Sequence, residues 1–125
     1  MVRQFRPVIG QWLLEFPAGL LEKDGENPQS RAAAELAEEV GYRAGQWEQV
    51  ATFYTSPGYS DERLIVFLAR DLEYIGANPE ESEDIEVVRL PLNEMRKMLA
   101  EGQLQDAKTI IGLQLLADYL DNHNE

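Results

Sequence analysis

The chain has 125 residues, 44% of them hydrophobic and 9% aromatic, which is enough apolar material for one packed domain and too much for a disordered segment. Eleven basic residues stand against 23 acidic ones, a formal net charge of -12, so nucleic acid is excluded as the main partner and a polyanionic substrate has to be met by metal ions or a local basic cluster. The absence of cysteine rules out disulfides and thiolate metal sites and allows a reducing compartment. No apolar stretch is long enough to cross a bilayer, and Arg3, Gln4 and Arg6 interrupt any leader-like run. The expectation is a cytoplasmic protein with no membrane partner.

In chain order, residues 1–6 alternate and read as the end of a strand, and residues 12–16 as a second short strand stopped by Pro17 and Gly19. A loop over 20–26 leads to Asn27-Pro28, a helix cap followed by proline at the first helical position. That helix runs through Ala32, Ala33, Ala34, Leu36 and Ala37 and ends at Gly41, the residue type that suits a left-handed cap. Residues 47–54 read as a strand, Ser56-Pro57-Gly58 as a turn, and 63–70 as a buried strand, because Leu64 to Leu68 form an apolar run bounded by charge. An acid-rich loop over 76–84 precedes a strand at 85–90 and a helix at 92–100 that stops near Gly102. Asp106 caps a last helix, with Ile110, Leu113, Leu116, Ala117 and Leu120 at helical spacing. Strands alternating with helices predict a single α/β layered domain over 1–125.

Three acids on the first helix concentrate the chemistry. Glu35, Glu38 and Glu39 stand at i, i+3 and i+4 and are expected to project from one face. Their mutual repulsion suits a hard divalent cation that prefers oxygen ligands, Mg²⁺ or Mn²⁺. Taken alone, the trio also fits a solvated acidic face.

The surrounding residues are more specific. Gly19, then Glu26, then Glu35-Leu36-Ala37-Glu38-Glu39-Val40-Gly41-Tyr42 resembles the Nudix box over nearly its whole length. Two positions depart from the family pattern. Six residues, not five, separate Gly19 from Glu26, which costs little in a loop. Ala34 stands where the box carries an arginine that holds a glutamate by an ion pair, and Arg31, three residues earlier, is expected to substitute in part. Beyond the box, Arg3-Gln4-Phe5-Arg6, the segment from Leu14 to Gly19, the segment from Ser56 to Glu62 with Pro57 fifteen residues after Tyr42, and the segment from Asp106 to Leu113 are similar to the ADP-ribose pyrophosphatase branch.

The resemblance implies a Nudix-type α/β/α sandwich with a mixed sheet. It also implies Mg²⁺- or Mn²⁺-dependent attack of water on the pyrophosphate of ADP-ribose or a related nucleoside diphosphate sugar. Glu35 and Glu39 become the principal metal ligands, with Glu38 close by and the Ala18 backbone carbonyl as a further ligand. Glu38, Glu39 and Glu83 become the catalytic acids; Glu83 is the first choice for a separate base, ahead of Glu81 and Glu80. Arg3 and Arg6 become contacts to phosphate or the terminal ribose, and Glu62 a further substrate contact. From the residues alone, Arg3 and Arg6 equally fit a soluble strand edge, Glu62 the polar start of a strand and Trp12 core packing; His123 lies in a polar tail and has no expected role. Two other readings stand beside the first: a Nudix hydrolase for another nucleoside polyphosphate, and a catalytically silent Nudix-fold binding protein. The branch's small N-terminal domain and its apolar strand before the Arg-Gln-Phe-Arg segment have no counterpart ahead of Met1. An unpaired sheet edge is therefore expected there, and with it a homodimer or higher oligomer.

Overall fold

A computed structural model describes residues 1–21, 25–76 and 85–123. Val2–Arg6 (β1) and Gln11–Glu15 (β2) form an antiparallel hairpin, with Val2 opposite Glu15 and Arg6 opposite Gln11. Ile85–Val87 (β5) pairs antiparallel with the other edge of β1, so the sheet order is β2-β1-β5. The edge expected to be unpaired beside Arg3 and Arg6 is thus covered on both sides. β5 is shorter than the expected 85–90. A bond from Val88 N–H to the Met1 carbonyl (2.8 Å) continues the pairing, but Pro91 follows closely and has no N–H to extend a ladder.

The first helix forms where the local signals put it. Asn27 caps it by accepting from the Ser30 N–H at 3.1 Å, and Pro28 opens Pro28–Glu35 (α1). Leu36–Val40 continues it as a π-helical turn, in which the Gly41 N–H reaches the Leu36 carbonyl five residues back at 3.0 Å. Gly41 ends the helix at φ 80°, a left-handed conformation that glycine adopts without steric cost.

Tyr42–Tyr54 (β3) and Arg63–Tyr74 (β4) make a long antiparallel ribbon with an irregularity between Gln49 and Ala51. Both strands exceed the expected 47–54 and 63–70. Their extension is closed by Tyr42 opposite Tyr74, whose rings meet edge-on at 5.2 Å. β4 is only partly buried along its apolar run, not buried as expected, because a two-stranded ribbon offers fewer covered faces than a central strand would have. Among the described residues every strand pair is antiparallel, and the strands fall into two sheets where one mixed sheet was expected.

Leu92–Ala100 (α2) matches its expected bounds, and Ala107–Asn122 (α3) starts at the Asp106 cap. Side-chain alternation along β1 and β2 then sets the layers. Val2 packs with Val40, Tyr42, Leu36 and Ile85 on the side of the first helix. Met1, Leu14 and Phe16 pack with Met95, Leu104 and Leu113 on the side of α2 and α3. Helices on both faces of the three-stranded sheet give the α/β/α arrangement that the sequence suggested.

Candidate active site

Glu35 ends α1 and is 9% exposed, unusual for a carboxylate. Its side chain is pressed against Gly19. A Cβ at position 19 would overlap the Glu35 carboxyl group, so any larger residue there would push that carboxyl from its place. Arg31, one turn earlier, forms an ion pair with Glu35. The Glu39 carboxyl lies within hydrogen-bond reach of Glu35. Burial, that hydrogen bond and the negative charges of Glu35 and Glu38 push its pKa up to about 7, against the opposing pull of Arg31.

The π-helical turn changes which acids share a face. More residues per turn leave position i+3 short of the face of i, while i+4 stays on it. Glu35 and Glu39 therefore share a face, and Glu38 is exposed. The expected single face of three acids resolves into an adjacent pair with a third carboxylate at its side.

Among the described residues no three acidic or histidine side chains converge into a ready metal cage. The pair itself fits a divalent ion of the Mg²⁺ type. Such an ion commonly takes one or two carboxylates and completes its shell with water and phosphate oxygens. Two carboxyl groups on one face of the helix, the Glu39 pKa raised by burial and by Glu35, form a donor set whose repulsion a cation would relax. The Ala18 carbonyl belongs to the peptide group that leads directly into Gly19.

Alternation sends Arg3 and Arg6 to opposite faces of β1. Arg3 stands 3.8 Å from Glu86, both exposed, on the face away from α1. Arg6 lies on the helix side, close enough to feel the charge of Glu39. Its guanidinium donates through Nε and Nη2 to both oxygens of Glu15, at 2.8 and 2.7 Å. Glu15 is 1% exposed and also accepts from Lys108 Nζ at 2.5 Å, while Lys108 bridges to Asp106 at 2.9 Å. Burial pushes the Glu15 pKa up, but the hydrogen bonds and charges of Arg6 and Lys108 outweigh it and hold the carboxyl below its ordinary value. The hydrogen bond to Glu15 in turn raises the Arg6 pKa.

Sequence reasoning missed this network. Its one visible sign is a glutamate between Leu14 and Phe16 in a strand whose hairpin partner ends in Arg6. Glu62 accepts from the Thr55 hydroxyl at 2.7 Å at the neck of the β3–β4 turn, in a pairing that does not involve the helix. Glu83, with Glu80 and Glu81, lies outside the described residues. Trp12 is 53% exposed and tilts against Phe5 with ring centres 5.6 Å apart, so it is not the core residue the sequence suggested. His123 stacks on Tyr119 at 4.0 Å.

The Arg31–Glu35 pair makes a direct prediction. Arg31→Ala is expected to lower kcat/KM about tenfold by releasing Glu35 from its orientation, the usual scale for a group that positions a ligand. Unchanged turnover and metal affinity in that variant would remove Arg31 from the site.

The NUDIX domain model matches residues 1–111. A protein named ADP-ribose pyrophosphatase from Bacillus subtilis (strain 168) is 42% identical over 118 residues, which cover 93% of this chain and 63% of that protein. A GDP-mannose pyrophosphatase from Cronobacter sakazakii (strain ATCC BAA-894) is 36% identical over 127 residues, covering 93% of this chain and 64% of its own length. The crystal structure of an ADP compounds hydrolase superposes with a TM-score of 0.86 at 26% identity, over 98% of this chain and 65% of that one. The chain thus spans a little under two thirds of the length of these relatives.

Proposed function

The chain belongs to the NUDIX domain family, and from that premise we propose that it is a divalent-metal-dependent pyrophosphohydrolase that cleaves ADP-ribose, or a related nucleoside diphosphate sugar, into a nucleoside monophosphate and a sugar phosphate. The observation that carries this reading is the Glu35–Glu39 carboxyl pair, backed by Gly19 and oriented by Arg31. Similarity to proteins named for ADP-ribose and GDP-mannose supports the substrate class.

Glu35 and Glu39 would hold Mg²⁺, or Mn²⁺, together with the Ala18 carbonyl. When bound, such an ion neutralises phosphate charge and lowers the pKa of a coordinated water. The chain's own residues do the positioning that phosphoryl chemistry chiefly needs. Arg6, anchored on Glu15, turns toward the helix and is our choice for a phosphate contact. Arg3 and Glu62 are proposed for outer parts of the substrate. Glu38, exposed beside the pair, and Glu83 are proposed to take the proton from attacking water.

Incubation with ADP-ribose and Mg²⁺ is expected to yield AMP and ribose 5-phosphate. Folded protein that leaves ADP-ribose and GDP-mannose both intact overturns the reading. A kcat/KM for GDP-mannose above that for ADP-ribose would move the substrate within the class.

We also propose a homodimer or higher oligomer. The support is a run of exposed apolar residues on the β1–β2 hairpin: Val8 is 98% exposed, Ile9 52% and Trp12 53%. Light scattering at micromolar concentration is expected to give at least about twice the 14.2 kDa chain mass; a clean monomer overturns this. A cytoplasmic location is proposed, which a chain without cysteine allows; no helix among the described residues is long and apolar enough to cross a membrane.

A further inference from the structure

We propose that Thr109 and Asp106, at the start of α3, are positioning residues for the metal site; the inference rests on the Glu35–Glu39 site proposed above. The Phe16 N–H donates to Thr109 Oγ1 at 3.0 Å across 93 residues of chain. Thr109 is 0% exposed, and its hydroxyl donates onward to Asp106 Oδ2 at 2.5 Å. Asp106 also accepts from the Thr109 N–H at 3.2 Å and from Lys108 Nζ at 2.9 Å. The hydroxyl is therefore used in both directions, as acceptor for the strand end and as donor to a carboxylate that is itself held.

What this anchors is the approach to the site. After Phe16 come Pro17, Ala18 and Gly19. Ala18 and Gly19 follow within three residues, and Pro17 fixes one of the torsions between, so a shift at Phe16 is passed on along a short, stiffened span. Gly19 leaves no room even for a Cβ against the Glu35 carboxyl, so its position governs where that carboxyl sits and how the Ala18 carbonyl is aimed. The Phe16 ring is braced on the same helix, where a Cβ at Gly112 would stand 3.0 Å from Phe16 Cδ2. The main-chain bond and the ring contact, with the Lys108–Glu15 ion pair one residue earlier, together fix the strand end to α3.

A valine at 109 keeps the shape of threonine and removes the hydroxyl, leaving the Phe16 N–H without its partner. Mn²⁺ binding, followed by calorimetry or by the electron paramagnetic resonance of free Mn²⁺, is expected to weaken about tenfold in Thr109→Val and to stay within about twofold of the parent in Thr109→Ser. Amide hydrogen exchange in the segment around Gly19 is expected to speed up in Thr109→Val and not in Thr109→Ser. Gly112→Ala is the second variant, because it favours the helix by propensity yet pushes Phe16 from its other side. Its Mn²⁺ affinity is expected to fall about threefold while its melting temperature does not, a split that a purely structural role would not produce. Parent-like Mn²⁺ affinity in folded Thr109→Val or, should that variant not fold, in Gly112→Ala overturns the proposal. A parent that binds Mn²⁺ no better than Glu39→Gln overturns the metal site itself, and the role of Thr109 with it.

Discussion

Replacing Glu39 with glutamine is expected to lower Mg²⁺-dependent turnover of ADP-ribose about a thousandfold above pH 7, equivalent to about 4 kcal/mol of barrier. Glutamine keeps the shape of the side chain and removes the anion that the cation needs. The same residue sets a pH signature. In the metal-free protein its carboxyl holds a proton up to about pH 7, because of its burial and the neighbouring acids. Metal has to displace that proton, so apparent affinity is expected to rise about tenfold per pH unit below pH 7 and to level off above it. Glu39→Gln should bind weakly with a flat profile. Isothermal titration at several pH values, in buffers of different ionisation enthalpy, counts the released proton directly. A parent profile as flat as the variant's would break the link between Glu39 and the metal.

Glu15→Ala is expected to destabilise the fold by about 3 kcal/mol, the scale found when one partner of a buried ion pair is removed. The loss has a definite source: Arg6 and Lys108 would face each other across the space that the 1%-exposed Glu15 carboxylate now fills. Denaturant melts check the value, and a change under 1 kcal/mol would mean that water solvates both cations at no cost.

The two acids pull stability in opposite directions with pH. Glu15 has a lowered pKa, so its contribution is present above the ordinary value of 4.5 and is lost as pH falls through its folded pKa. Glu39 has a raised pKa, so its contribution is full below 4.5 and is lost as pH rises toward about 7. For these two groups together, metal-free stability is expected to peak near pH 4.5. Bound metal should remove the decline toward pH 7, and Glu15→Ala should flatten the acid limb.

Local signals were legible and tertiary ones were not. Asn27-Pro28, Gly41, Asp106 and the bounds of α2 were readable because caps and breakers act within a few residues. The acid helix was readable for the same reason, since its motif is contiguous. The π-helical turn over Leu36–Val40 was not readable: nothing in the spacing of Glu35, Glu38 and Glu39 distinguishes an i+5 turn from an i+4 one, so the three acids were expected on one face, where Glu38 instead stands exposed beside the pair. Glu15 was hidden because its partners lie nine and 93 residues away, and an isolated glutamate in an alternating strand reads as solvent-facing. The early part of β3 was diluted by Arg43, Gly45 and Gln46. Only its pairing with β4, which ends at Tyr74, makes it a strand.

The bond from Phe16 to Thr109 also sets an order of assembly. Loops of this span close late, because their entropy has to be overcome before the contact returns anything. A nascent chain emerges from its N-terminus, so the acid helix and the β1–β2 hairpin are available long before α3 has been synthesised. Until α3 docks, the turn carrying Ala18 and Gly19 has no anchor on the far side. The carboxyl pair can therefore exist on a formed helix while the geometry that makes it useful is still missing. Competence to bind metal should appear as one of the last events of folding, after most of the secondary structure is in place.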